Sequence, residues 1–369
     1  MSLDIIELLR TSLTIILGTI VLAAFGIIFG LFYKGIDRKI SAHMQGRIGP
    51  PIRQPFRDVV KLFSKENIIP ENAIPWVFNL APLIGLVAAI SILLYLPLGG
   101  LEPLAAGRGD LILILYLLII PSLALVIGGF ASGSPYATVG AQREMATMIA
   151  YEFPLAIIIV TIAWLVSNTP PPDIMAFNIM AVTQIPVWNS VGIFGFIGLL
   201  ILLFVLVIVT PAELSKIPFD APEAETEIAG GLLTEYSGRN LGMFYLTDAV
   251  KTVVMSSLIV ALFFPWNLAD ILSIQDPVWL VYILNIVFFL FKLFLVIMFS
   301  VTLIRVAVAR LKIDQIVYTY WIWLTLLALL GLIAVMWDLQ ILNSDVSQLG
   351  GIWRTIVENY KLYTLGIIL

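Results

Sequence analysis

Eight stretches of this chain are apolar enough, and nearly all of them long enough, to cross a lipid bilayer. They run over about 12–33, 76–98, 110–130, 142–166, 189–210, 245–264, 278–308 and 315–337, against a requirement of roughly 20 apolar residues per span. Inside lipid every backbone N–H and C=O must be satisfied by the protein, which leaves runs of this length only the helix. Hydrophobic residues make up 60% of the chain and charged residues 12%, where a soluble chain carries about a quarter charged. The expected fold is therefore an all-α integral membrane protein, a single polytopic domain over 1–369 with about eight transmembrane helices. The seventh run is long enough to tilt or to extend beyond the bilayer.

Lys and Arg orient the bundle. Fourteen of the 20 fall on the side that receives the loops after spans one, three, five and seven, and four on the other; Lys251 and Lys292 lie within spans. The positive-inside rule assigns the basic side to the cytoplasm and both termini to the outer side of a cell membrane. Two long cytoplasmic loops result, 34–75 and 211–244. Residues 1–11 carry Asp4, Glu7 and Arg10 rather than a basic start, so the first span is expected to stay as an anchor. Two loops on the outer side, 167–188 with Pro170-Pro171-Pro172 and 265–277, hold no Lys or Arg and suit rigid connectors. The tail, 350–369, reads either as an interfacial helix or as a short loop with a partial span.

Cysteine is absent and His43 is the single histidine. Iron–sulfur ligation, thiol chemistry and Cys/His zinc sites are thereby excluded from this chain. Any redox cofactor must sit in partner subunits, and no nucleic-acid partner is expected.

Directly after the uncharged run 191–209 come five carboxylates within fifteen residues: Glu213, Asp220, Glu223, Glu225 and Glu227. Asp220-Ala221-Pro222-Glu223 fits a capping box with proline in the first turn, and the later acids suit a helix N-terminus. Capping needs one or two carboxylates, not five. Neighbouring acids titrate as a coupled set, and an acidic cluster at the mouth of a membrane helix points to protons or cations as cargo. Glu213, nearest the span, is the expected link between the cytoplasm and the membrane interior.

The first loop reads Asp37-Arg38-Lys39 through Gln45-Gly46-Arg47-Ile48-Gly49-Pro50-Pro51 to Pro55. Its glycines and prolines set sharp turns of low entropy. From Phe56 to Phe63 apolar residues alternate with Arg57, Asp58 and Lys61, the pattern of a short amphipathic helix. Anchoring on anionic lipid and docking of a protein both fit, and the rigid turns favour docking. Arg47, Arg53, Arg57, Asp58, Lys61 and Asp220, with Glu223, are the expected docking residues.

Charges inside the spans complete the candidate set. Glu144 and Glu152 lie eight residues apart, about 12 Å along a helix on neighbouring faces. Pro154 frees a carbonyl near Ala150. A proton relay is one reading; a structural pair, Glu144 with Arg143 or Glu152 with a lysine, is the other. Asp248 and Lys251, three apart, are within reach of a helical pair. Lys292 has no acid nearby in sequence and is expected to find one across helices among Glu144, Glu152 and Asp248.

Several motifs together resemble the proximal membrane subunit of complex I and its relatives, the family known in mitochondria as subunit 1. They are Gln45-Gly46-Arg47-Ile48-Gly49-Pro50, Asp58-Val59-Val60-Lys61-Leu62 with Lys65-Glu66, Arg143-Glu144 with Tyr151-Glu152-Phe153-Pro154, and Glu213 through Gly230 followed by Thr234-Glu235-Tyr236-Ser237-Gly238. The resemblance implies a subunit that binds a soluble redox arm through its cytoplasmic loops and carries a glutamate funnel, here Glu144, Glu152, Glu213, Glu223, Glu225, Glu227 and Asp248. It implies iron–sulfur clusters, and for some branches a nickel–iron centre, in hydrogenase-like large and small subunits, with antiporter-like subunits alongside in the membrane. The short segment Gly49-Pro50-Pro51-Ile52-Arg53-Gln54-Pro55-Phe56, the run Ala131 to Ala137 and Lys216 resemble the energy-converting membrane hydrogenases (formate hydrogenlyase and Ech types) and the archaeal sulfane-reducing complexes more than the quinone reductases. Two alternatives stay open. One is the quinone-binding membrane subunit of an NADH-quinone oxidoreductase, with a tunnel between spans one and six. The other is a free-standing carrier with paired discontinuous helices.

Overall fold

The computed structural model describes residues 2–107, 109–168, 177–274 and 276–343. The expected tail helix over 350–369, the prolines Pro170 to Pro172, and Arg108, Arg354 and Lys361 lie outside these residues.

All regular structure among the described residues is helical apart from one isolated bridge, Leu98 to Leu101. The helices are α1 (Ser2–Met44), α2 (Gln54–Phe63), α3 (Pro75–Leu93), α4 (Asp110–Ala131), α5 (Pro135–Ser167), α6 (Ile179–Gln184), α7 (Ile193–Glu213) and α8 (Glu225–Ile228). They continue with α9 (Gly238–Phe263), α10 (Leu268–Ile271), α11 (Val278–Ile297), α12 (Leu303–Ala307), α13 (Ile313–Tyr318) and α14 (Thr325–Asn343). A π-helical turn, Met298–Thr302, joins α11 to α12, and another, Thr319–Leu324, joins α13 to α14. Among the described residues eight helical segments are long and apolar enough to span a bilayer, as the sequence predicts.

Boundaries differ where charged residues remain helical. α1 continues through Lys34, Asp37, Arg38 and Ser41 to Met44, so the first loop proper begins at Gln45 rather than at 34. Proline in the first turn starts α3 and α5, where a missing N–H costs nothing. α5 consequently begins at Pro135, two turns before the expected 142, and α9 begins at Gly238 rather than 245.

α9 is the hub. Every residue from 249 to 263 is buried, as expected of a helix apolar on all faces. It packs against α1, α3, α7 and α11, while α5 packs against α4, α7 and α14. α1 approaches so closely that a side-chain carbon at Gly30 would collide with the Ala249 carbonyl. The two elements around the hub's ends matter most for function: the acidic loop at its start and the α10–α11 region at its finish.

α2 is the expected amphipathic helix. Its Phe56 and Val59 pack on Leu31 of α1 and on Leu246 and Ala249 of α9, so that apolar face is taken by the chain's own spans. Arg53, Arg57, Val60, Lys61 and Phe63 remain exposed. The turn leading to α2 uses Gly46 at φ 70°, a left-handed conformation that favours glycine.

Candidate functional site

A cavity of about 490 Å³ opens on the basic side between α1, the acidic loop and α9. Charged side chains dominate its wall, from Arg38 and Glu225 at the surface to Glu213 and Lys251 within. The local backbone explains the convergence. α7 ends at Glu213, and the chain turns back through Ser215 at φ 47° into the 3₁₀ turn Ala221–Glu223. That return lays Glu213, Lys216, Asp220 and Glu223 over the hub.

At the inner end Glu213 and Lys251 are 2% and 5% exposed. Lys251 Nζ lies 2.8 Å from Glu213 Oε1, at an angle unsuited to a hydrogen bond, and donates to Ser122 Oγ at 2.8 Å. Ser122 in turn lies 3.2 Å from the Tyr151 hydroxyl. Glu144 is 1% exposed; its Oε2 accepts a long bond of 3.5 Å from Ser215 Oγ, while Oε1 has no protein donor. The charges acting on Glu144 are Lys251, Glu223 and Glu213; those acting on Glu152 are Glu213 and Lys251. Glu152 is half-buried, and its Oε1 is likewise buried without a donor. A single ammonium thus faces three carboxylates through a serine and a tyrosine.

Nearer the mouth Asp248 sits between two lysines, 2.6 Å from Lys34 Nζ and 2.6 Å from Lys216 Nζ. Lys34 also lies 3.5 Å from the centre of the Tyr245 ring. Glu223 is half-buried at the same cavity, and burial pushes its carboxyl above the ordinary value, with Lys216 opposing. Asp37 is held by Arg305 at 3.0 Å and by Thr302 at 2.8 Å, which ties α1 to the π-turn at the end of α11.

Several expected pairings are replaced. Asp248 and Lys251 do not pair with each other, although three residues apart. Both line the same cavity, and a 60° offset around α9 sends them to different neighbours. Glu144 does not pair with Arg143, which reaches instead to Glu227 at 2.5 Å. The capping box is not formed, since the Asp220 side chain makes no cap bond and is engaged by the Arg310 guanidinium. Asp220 therefore turns inward rather than to a docking surface; Asp58, still partly exposed, is bound by Arg38 at 3.1 Å and by Gln54 at 2.8 Å. Arg47, Arg53, Arg57 and Lys61 stay exposed.

Lys292 is far from the acids. Its Nζ donates to the carbonyls of Phe264 and Trp266, both at 2.8 Å. The last carbonyls of a helix lack intrahelical partners and carry partial negative charge, so the exposed end of α9 offers this cation an alternative to a carboxylate.

The structure gathers Glu213, Glu223, Glu225 and Asp248 at one cavity, with Glu144 and Glu152 near Glu213 and Lys251, and places Lys292 elsewhere. The contacts of Ser122 with Lys251, and of Lys34 and Lys216 with Asp248, were not expected. Pro121-Ser122 within an otherwise apolar span was the available signal for the first, and charge at a span boundary for the second.

Against known proteins, residues 17–336 match the NADH dehydrogenase family. The corresponding membrane subunit of NADH-quinone oxidoreductase from Brevibacillus brevis is 34% identical over 317 residues, covering 84% of this chain and 89% of the relative. Hydrogenase-4 component C of Escherichia coli is 36% identical over 242 residues, 66% of this chain and 73% of that one. The matching subunit of F(420)H(2) dehydrogenase from Methanosarcina mazei is 31% identical over 354 residues, 90% and 96%. Among solved structures, a chain of the membrane-bound sulfane sulfur reductase, an archaeal respiratory membrane complex, superposes with a TM-score of 0.72 at 29% identity, covering 86% of this chain and 99% of that one. Membership rests on nearly the whole length of the chain, including the loop and acid motifs that line the cavity: this multi-pass membrane protein belongs to the NADH dehydrogenase family of complex I-like membrane subunits.

Proposed function

We propose that this chain anchors a peripheral redox arm and couples its electron transfer to proton or sodium translocation through the buried acids. The redox cofactors, iron–sulfur clusters and a nickel–iron centre, belong to hydrogenase-like partner subunits. Antiporter-like subunits receive the signal within the membrane. Both termini face outward, and the arm docks on Arg47, Arg53, Arg57 and Lys61.

The observation that carries this reading is the sharing of Lys251 among more carboxylates than it can neutralise. A buried acid left without a counter-charge binds a proton or draws the cation toward itself. When Glu213 is protonated, Lys251 loses its close partner and its attraction to Glu144 becomes dominant. Ser122 holds the ammonium and is itself joined to the Tyr151 hydroxyl, so polar groups line the way during that exchange. The cavity above, with Glu223, Glu225 and the Lys34–Asp248–Lys216 cluster, joins this switch to the surface on which the arm sits. A charge change in the arm is thereby felt at Glu213 and passed to Glu144 and Glu152.

The same cavity supports a second reading, a quinone site between α1 and α9. Charged groups of both signs, Lys34, Asp248, Lys216, Glu223 and Arg310 among them, line it, which suits ions better than a neutral quinone head. Insensitivity of the purified complex to quinone analogues is the expected result.

Glu152→Gln tests the main reading. In sealed vesicles coupled ion uptake should fall at least about ten-fold, while the arm turns over artificial donors at near wild-type rate; undiminished uptake would remove Glu152 from the path. Docking has a separate test. Reversing Arg57 and Lys61 to Glu should release the soluble arm during purification, whereas a retained arm would assign those charges to lipid.

A further inference from the structure

On the side opposite the acids, a cavity of about 600 Å³ with a mixed lining and an apolar groove of about 420 Å³ meet at Lys292 and Trp266. Their arrangement follows from the level at which α9 stops. Lys292 bonds to carbonyls just past Phe263, while Asn285, about 10 Å earlier on α11, accepts the Ala269 N–H of α10 at 2.9 Å. The first turns of α11 therefore stand beyond the end of the hub. Lys292, though centred in a long apolar run, lies level with the end of the hub.

From that point the groove descends toward the basic side along Ile259, Leu203, Val207, Phe291, Leu295 and Phe299. It presents no polar surface. Phe291 and Phe299 are more than half exposed, and Trp266 is exposed beside Lys292, as aromatic residues at a membrane interface commonly are. Lys292 has no carboxylate within ion-pair distance among the described residues, and its two carbonyl bonds leave one of three ammonium hydrogens unused. The adjoining cavity has Glu102 and Asp270 among its lining residues. The order from the bilayer outward is apolar groove, one cation, two acids.

We propose that this junction is a binding site for a zwitterionic phospholipid bearing an amine headgroup. An acyl chain lies in the groove, the phosphate is held by the free hydrogen of Lys292, and the headgroup ammonium is received by Asp270 and Glu102. The sequence of charges along the site matches such a lipid, whose phosphate lies deeper than its amine. An anionic headgroup without an amine meets the same cation but is opposed by the two acids.

Trp266 supplies the readout in the intact purified complex. Brominated-acyl phosphatidylethanolamine and brominated-acyl phosphatidylglycerol are added at equal mole fraction, and the Trp266 component of fluorescence is isolated by difference from Trp266→Phe. Quenching of that component should be roughly three-fold more effective with the ethanolamine lipid, the size expected of one partly exposed ionic contact. Lys292→Gln should abolish the preference, and Asp270→Asn should reduce it. Equal quenching by both lipids, meaning boundary lipid only, would overturn the proposal. So would a Trp266 component that neither lipid quenches, the result expected if a partner helix fills the groove, or a preference that survives Lys292→Gln. Should Lys292→Gln fail to assemble, the wild-type comparison and Asp270→Asn still decide.

Discussion

Lys251 and Lys292 are both lysines set within long apolar helices, and their surroundings are opposite. Lys251 is enclosed, 2.8 Å from Glu213 and 2.8 Å from Ser122, with Glu144 and Glu152 also acting on it or through it. Lys292 is half-buried at the open end of the hub, bonded to two backbone carbonyls. The first lies against a carboxylate that can change charge, the second bonds to carbonyls that cannot. A cation among several acids has alternative partners of similar energy and can serve a switch. A cation on helix-end carbonyls has one geometry and serves to hold a place.

The largest effect expected from this contrast is at Lys251. Lys251→Met leaves Glu213 buried without its counter-charge, a loss of about 3–5 kcal/mol where such a pair is broken, and coupled transport should cease. A double variant, Lys251→Met with Glu213→Leu, should recover most of the thermal stability of the complex but none of the transport. Recovery of transport would show that the pair only braces the helices. Lys292→Met should be milder, about 1–2 kcal/mol, because water at the membrane surface can replace the lost donors. Transport should be retained; its loss would erase the distinction between the two lysines.

The smallest effect concerns Glu223, where the sign is set by burial. Its carboxyl is pushed above the ordinary value, so the folded protein favours the neutral acid. That contribution is fully present below the ordinary value and is lost as pH rises through the raised one. Glu223→Gln stays neutral throughout, so its thermal stability should gain on the wild type as pH is raised from about 5 to 8. A difference that runs the other way would place the ionised carboxylate, stabilised by Lys216, as the resting form.

Much of the site was legible before any coordinates. Glu144, Glu152 and Glu213 announced themselves as acids in or beside apolar runs, where the cost of an unpaired charge restricts them to protein-facing positions. The amphipathic pattern from Phe56 to Phe63 was readable because it depends only on helical periodicity. The pairings were not. Asp248 looked like a partner for Lys251 because three residues make neighbours on an isolated helix, but other elements supply closer partners, Lys34 and Lys216 to Asp248 and Glu213 to Lys251. Asp220 looked like a cap and is instead held by Arg310, 90 residues away.

Span number, helical class, the charged side and the placement of acids at a span mouth follow from local pattern, since a bilayer imposes its requirement on each segment separately. Which carboxylate meets which cation depends on helix order, crossing distance and the level at which each helix ends. Lys292 shows this most clearly. Counting along its own helix calls for a carboxylate partner, and the end of the neighbouring helix supplies two backbone carbonyls instead.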